Sequence, residues 1–286
     1  MSVTETTAPL FSRFTPAAPL LLMGCGRMGS AMLDGWLQQG LDPAAVVIVE
    51  PSDDIRGHLA GRAGQLAASL ADVPSDLLPQ LVVLAVKPQM MDGALVDLAP
   101  YAARGSAFLS IAAGKNLAYF RSALGAAPVV RAMPNTPAAI GHGITAAIAN
   151  DAVTPDLAEV ARALLSAVGA FVWLDDEKHM DAVTAVSGSG PAYLFYLTEC
   201  LAAAGVAAGL PQELSFQLAV HTMAGSGALL AHSGDSPTAL REAVTSPAGT
   251  TAAALDVLMG EKGLSPLMRQ AVMAATKRSR ELGHVN

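Results

Sequence analysis

An apolar run, a glycine-rich turn and an amphipathic stretch follow one another without a break: Pro19-Leu20-Leu21-Leu22-Met23, Gly24-Cys25-Gly26-Arg27-Met28-Gly29 and Ser30-Ala31-Met32-Leu33-Asp34-Gly35-Trp36-Leu37. The glycines fall in G-x-G-x-x-G spacing. Alone, that spacing is a weak signal in an Ala/Gly-rich chain. Between an apolar strand and a helix it predicts a turn that seats a dinucleotide diphosphate. Gly24 makes the tight turn, Gly26 lets phosphate approach the backbone, and Gly29 lets the helix pack on the sheet. The helix start adds free N–H donors and partial positive charge. An ordinary tight turn is the alternative.

The chain after this turn alternates short β-type runs with helical patterns, the signature of parallel βαβ units. Strands are expected at residues 46–50, 81–86, 107–112, 128–133, 143–149 and 171–174, with a helix over 155–168. From Asp175 no convincing strand remains. Residues 191–208 and 211–232 are Ala-rich, apolar on nearly every face, and begin with Pro at a position suited to a first helical turn. Helices apolar all round are buried. In so short a segment, a second copy of the chain is the natural cover; a monomeric helical cap is the alternative. The expected fold is therefore α/β: an N-terminal Rossmann-type doubly wound sheet followed by an all-α dimerisation domain. Its expected divisions are a flexible leader at 1–18, a dinucleotide-binding domain at 19–174 and a helical domain at 175–286.

Composition agrees with an assembled protein. Hydrophobic residues make up 52% of the 286 and charged residues 14%, so much surface is expected to lie between subunits. A net charge of −7 argues against a nucleic-acid partner. Lys277-Arg278-Ser279-Arg280 reads as the cationic last turn of a helix. Two cysteines, Cys25 and Cys200, make no disulfide framework, and no Cys/His spacing suggests a metal. The leader lacks the basic region and apolar core of a signal peptide. No apolar stretch reaches the ~20 residues that span a bilayer. The expectation is a cytoplasmic protein with no membrane partner.

Candidate chemistry sits at the ends of the expected strands. Glu50 ends the second strand, where a carboxylate accepts from adenosine ribose hydroxyls and repels a 2′-phosphate. That leans the cofactor towards NADH over NADPH. Asp72 would add negative charge; Arg56 would oppose it by reaching a 2′-phosphate, or is merely a solvated helix residue. Ala85-Val86-Lys87-Pro88 and Met133-Pro134-Asn135-Thr136-Pro137 lie where open α/β sheets bind ligands. Lys87 is an acid or anion contact, or contributes only its backbone. Asn135 either faces the nicotinamide or holds a structural turn. Ser187-Gly188-Ser189-Gly190-Pro191 offers an anion seat or a tightly packed helix start. Thr245-Ser246-Pro247-Ala248-Gly249-Thr250-Thr251 combines hydroxyls, a glycine and consecutive N–H groups before an apolar helix. It suits a carboxylate, or an ordinary helix cap. His179, His221 and His232 have no ligand spacing, and His221 reads as an interior residue.

Together these blocks resemble pyrroline-5-carboxylate reductase, from about Leu20 to about Gly283. The most specific are the 187–193 and 246–251 segments in this order; Ala248 departs from a glycine usual in the family. The resemblance implies reduction of the cyclic imine 1-pyrroline-5-carboxylate to L-proline by NADPH or NADH, in the last step of proline biosynthesis. It implies a homodimer, with a decamer open to it, and an active site at the domain junction closed by the partner. By resemblance, Gly249 and Thr250 hold the substrate carboxylate through backbone N–H groups, Thr251 bonds the ring nitrogen, and Ser246 orders the loop. Gly24, Gly26, Met28 and Gly29 contact the diphosphate and Glu50 the ribose. Ala85, Lys87, Pro88 and Asn135 line the cofactor cleft. Two rivals remain. One is a β-hydroxyacid-type dehydrogenase, whose helical lysine has no clear counterpart beyond Lys178; the other is a non-catalytic dimeric dinucleotide sensor.

Overall fold

The computed structural model describes residues 8–284. The chain divides into two compact units. One runs through Gly188 and includes residues from Thr276 onward; the other is Ser189–Ala275.

The first unit is built on an eight-stranded sheet with order β3-β2-β1-β4-β5-β6-β7-β8. Its strands are β1 (Leu20–Met23), β2 (Val46–Val49), β3 (Gln65–Ala67), β4 (Leu81–Leu84), β5 (Ala107–Ser110), β6 (Val129–Met133), β7 (Gly143–Ala149) and β8 (Gly169–Trp173). All neighbours are parallel except β6 and β7. β1, β2, β4 and β5 are apolar or nearly so and buried along their length, as strands covered on both faces must be. β3 has no counterpart among the expected strands. It is three residues long and half exposed, too short and too polar to show a period.

Helices cover both faces. On one lie α1 (Ala8–Phe11), α2 (Arg27–Gln38) and α6 (Pro155–Ser166). Met32, Leu33 and Trp36 of α2 join Val160 and Leu164 of α6 in that core, and the Trp36 Nε1–H donates to Leu164 O at 2.8 Å. On the other lie α4 (Met91–Ala103) and α5 (Leu117–Leu124), burying Leu95, Leu98 and Phe120 against Val82 and Phe108. The short α3 (Asp53–His58) follows β2.

The expected leader and domain boundary look different in space. Residues 1–7 lie outside those described. Phe11 and Phe14, within the stretch read as leader, are buried in the first core. Beyond Leu174, where strands cease, the chain stays on the sheet: Met180 of α7 (Met180–Val183) and Ala185 of the π-helical turn Thr184–Gly188 are buried. The end of α12 (Leu264–His284) also belongs to this unit, where Ser279 Oγ donates to Asp181 Oδ1 at 2.7 Å.

The second unit contains α8 (Gly190–Ala207), α9 (Gln212–Ser233), α10 (Pro237–Ala243) and α11 (Thr250–Leu258). α8 and α9 pack where Gly205 meets Ser215, whose hydroxyl donates to Ala202 O at 2.6 Å. The rest of their apolar surface is bare: Phe195 is 64% exposed, Tyr196 67% and Phe216 56%. His221, expected inside, is likewise exposed, because one chain leaves that face uncovered. Exposed apolar area on this scale marks an interaction surface. Among the described residues, no helix is long and apolar enough to cross a membrane.

Candidate functional site

The ends of β1 and β4 are neighbours in the sheet, and the connections leaving them run to opposite faces. This is the topological switch point at which open α/β sheets bind ligands. Gly24 leaves β1 with φ +85°, a conformation L side chains rarely adopt, and its N–H donates to Val49 O at 2.8 Å. A Cβ on Gly24 would lie 3.0 Å from Ala85 O; one on Gly29 would lie 2.6 Å from Gly24 O. The turn, the start of α2 and the end of β4 are therefore as close as backbones allow. Gly26 caps α2 without any side-chain hydrogen bond, and no atom lies within 4 Å of where its Cβ would stand. The first-turn N–H groups of a helix have no intrahelical acceptor. An open glycine beside them fits a diphosphate. Met28 is half-buried on the same turn.

Glu50 is buried beside this turn. Its Oε2 accepts the Cys25 N–H at 2.8 Å and its Oε1 the Ser52 N–H at 3.0 Å. Arg56 Nη1 donates to the Glu50 carbonyl, and its other terminal nitrogen pairs with Asp53. Asp72 is committed elsewhere: Oδ2 accepts both the N–H and the hydroxyl of Ser69, each at 2.9 Å, which holds its carboxyl below the usual range. Burial, outweighing the Ser30 hydroxyl, pushes the Cys25 thiol up. That makes Cys25 a small inert side chain.

Ala85 and Pro88 are half-buried at the end of β4, and Lys87 is exposed. Asn135, at the end of β6, uses both halves of its amide. Oδ1 accepts the Ile144 N–H at 2.9 Å, and Nδ2 donates to Ser187 O at 3.1 Å. It ties the start of β7 to the π-helical turn; single π turns recur at functional sites. Gly24, Gly26, Met28, Gly29, Glu50 and Ala85 are thus brought together at one sheet edge.

Ser246, Gly249, Thr250 and Thr251 lie in the second unit and form their own group. Gly249 N–H donates to Ser246 O at 3.0 Å, closing a turn that caps α11. A Cβ on Gly249 would strike Ser246 Oγ at 2.4 Å, so the position suits glycine. Ala248 has φ +60°, the left-handed conformation in which glycine is at ease. Thr250 is exposed and Thr251 half-buried in the first turn of α11, whose N–H groups carry no side-chain cap. Lys178 stands exposed in a 3-10 turn, paired with Asp176 at 2.6 Å. It is not the helical acid a β-hydroxyacid-type enzyme would carry.

Two polar clusters were not foreseen. Arg131 Nη1 meets Glu177 Oε1 at 2.6 Å. Tyr119 donates its hydroxyl to Asp92 Oδ1, with Lys115 Nζ 3.6 Å from the same oxygen and 4.0 Å from the Tyr119 ring centroid. Arg131 and Glu177 are 46 residues apart and Tyr119 and Asp92 27, so no local pattern links either pair. Among the described residues, no group of three or more His, Cys, Asp or Glu could hold a metal.

Comparison with known proteins adds to this geometry. The family model for pyrroline-5-carboxylate reductase dimerisation matches residues 177–282, and that for NADP oxidoreductase, coenzyme F420-dependent, matches residues 20–114. A pyrroline-5-carboxylate reductase of Pseudomonas aeruginosa is 40% identical over 265 residues, covering 92% of this chain and 96% of the relative. The solved reductase of Coxiella burnetii has TM-score 0.86 at 30% identity, covering 94% of this chain and all of that one. That of Plasmodium falciparum, solved with NADP bound, has TM-score 0.79 at 28% identity, covering 94% and 99%.

Proposed function

Because the chain belongs to the pyrroline-5-carboxylate reductase family, we propose that it reduces 1-pyrroline-5-carboxylate to L-proline with a reduced nicotinamide cofactor. The observation that carries the reading is the uncapped first turn of α2, open over Gly26 and flanked by buried Glu50. The cofactor supplies a hydride to the imine carbon, and a proton ends on the ring nitrogen.

The chain's own contribution is to hold and orient. In this proposal Gly24, Gly26, Met28 and Gly29 seat the diphosphate, and Glu50 faces the adenosine ribose. Ala85, Lys87, Pro88 and Asn135 line the nicotinamide side. Thr250 presents its N–H group to the substrate carboxylate, and Gly249, whose own N–H closes the turn on Ser246 O, shapes that approach. The Thr251 hydroxyl bonds the ring nitrogen, and Ser246 fixes the loop. A cyclic imine that arrives protonated needs no strong acid from the protein. Orientation alone supplies several kcal/mol of the barrier reduction.

The preferred cofactor is NADH. Glu50 places negative charge where a 2′-phosphate would go, and Arg56 is already engaged by Asp53 and the Glu50 carbonyl. The working unit is a homodimer built on the helical segment from 175, and bare α8 and α9 supply apolar surface for it. A decamer is a further assembly open to the same dimer. Free Cys25 and Cys200 suit the cytoplasm. The decisive experiment follows loss of reduced-nicotinamide absorbance with pyrroline-5-carboxylate, once with NADH and once with NADPH. No turnover with either overturns the activity; a kcat/KM favouring NADPH overturns the preference.

A further inference from the structure

We propose that Glu50 is a positioning residue for the dinucleotide turn, acting through the Cys25 N–H as well as facing the ribose. The inference rests on the reading that the glycine turn holds a dinucleotide.

The β1–β2 ladder ends at Met23 and Val49, and the Gly24 N–H still finds Val49 O. One residue later the chain turns away from the sheet. Cys25 is buried, so its N–H requires an acceptor that the ladder no longer offers. Glu50 provides it from the neighbouring strand end. Its second oxygen takes the Ser52 N–H, so one carboxylate ties the turn after β1 to the turn after β2. The Arg56 guanidinium on the Glu50 carbonyl holds the Glu50 backbone in turn. Charge-assisted bonds of this kind are the strong ones, and here the group is only 6% exposed.

The consequence is a division of labour among the turn's amides. The Cys25 N–H is satisfied from the sheet side. The following N–H groups at the start of α2 keep no acceptor within the helix and stay available to a diphosphate. Without the carboxylate, the Cys25 peptide is free to rotate and the turn binds from several conformations, which lowers affinity. A carboxylate has about four lone-pair sites, so two backbone bonds leave capacity for ribose hydroxyls. The two roles are separable by experiment.

The test is calorimetric titration of the full-length protein with NADH and with its analogue lacking both adenosine ribose hydroxyls, for wild type, Glu50→Ala and Glu50→Gln. Positioning through the turn predicts that Glu50→Ala weakens the analogue about tenfold, for one charge-assisted hydrogen bond, and NADH by at least as much, the excess measuring the ribose contacts. Glu50→Gln keeps one carbonyl acceptor and recovers part of the loss for both. In steady-state assays the rise in nucleotide KM exceeds the fall in kcat. Weakening confined to the hydroxyl-bearing nucleotide, or no weakening, overturns the proposal. If Glu50→Ala does not fold, Glu50→Gln decides it by whether the analogue lacking the hydroxyls is weakened. Binding without imine turnover in the wild type would refute the reductase reading and leave this test intact.

Discussion

The Arg131 guanidinium donates to Glu177 Oε1 at 2.6 Å, and the same oxygen accepts the Leu117 N–H at 2.9 Å. One carboxylate thus joins β6, the start of α5 and the segment that leads into α7. Arg131 is buried and Glu177 half-buried. Removing one partner of a buried pair leaves an uncompensated charge, at about 3–5 kcal/mol when fully buried. Partial exposure of Glu177 moderates this. Glu177→Ala should lower stability by about 2–3 kcal/mol, read as a fall in urea midpoint at fixed protein concentration. An unchanged midpoint would mean the pair contributes nothing net.

Gly26 and Gly29 should respond differently to the same added methyl. At Gly29 the Cβ would meet Gly24 O at 2.6 Å, and a backbone oxygen cannot move without the turn. Gly29→Ala should cost about 1–3 kcal/mol of stability along with nucleotide affinity. At Gly26 nothing lies within 4 Å, and φ is −67°. Gly26→Ala should therefore keep its stability within about 0.5 kcal/mol. Its NADH affinity should fall at least about tenfold, because the methyl stands where phosphate approaches. Fluorescence titration with NADH checks both; normal binding by Gly26→Ala would remove the diphosphate from this turn.

These contrasts show what a sequence can disclose. The glycine turn was legible because its spacing coincides with a change from strand to helix period. The parallel order followed from alternation alone, and the bare helices from their all-round apolarity. Other features depend on closeness in space. β3 was too short to show a period. Composition marked where strands stop at Leu174, while the chain stays in the sheet's unit through Gly188: Glu177 meets Arg131 of β6, Met180 is buried, and Asp181 meets Ser279 of α12. An acid at position 50 was visible, but its partner is an amide 25 residues earlier. Arg131 and Glu177 are 46 apart, and no local pattern links them.

Ala248 sits at φ +60° in the turn before α11. A left-handed L-residue costs about 1–2 kcal/mol, whereas glycine loses about 0.5–1 kcal/mol through its extra freedom. Ala248→Gly should accordingly raise stability by about 0.5–1 kcal/mol, the strain relieved less the entropy lost. Ala248→Val, β-branched, should destabilise. Paired urea titrations of the two variants check the sign. A loss with glycine would show that the turn gains more from stiffness than it suffers from strain.

Tyr119 and Asp92 should give stability a matched pair of pH limits. The Tyr119 hydroxyl, reinforced by Lys115, holds the Asp92 carboxyl below its ordinary range. A depressed folded value means stabilisation present above the unfolded pKa of about 3.9 and lost as pH falls through the folded one. Burial, with the Asp92 charge behind it, pushes the Tyr119 phenol up. Its contribution is full below about pH 10 and declines as pH rises above that. Tyr119→Phe should lower the urea midpoint at neutral pH, with a difference from wild type that shrinks under acid conditions. A difference constant into acid would mean the hydroxyl acts by packing alone.

Thr251 is half-buried in the first turn of α11, beside N–H groups that no side chain caps. If its hydroxyl bonds the ring nitrogen, it fixes the ring so that the adjacent carbon faces the incoming hydride. Thr251→Ala should lower kcat/KM for pyrroline-5-carboxylate about ten- to a hundredfold, the ~1.4–3 kcal/mol of one buried hydrogen bond. Thr251→Ser, which keeps the hydroxyl, should recover most of it, and the KM for NADH should move little in either. Steady-state kinetics over both substrates separates these outcomes. If the alanine variant folds and turns over normally, the ring nitrogen takes its hydrogen bond elsewhere. The Thr250 N–H would then act on the substrate carboxylate alone.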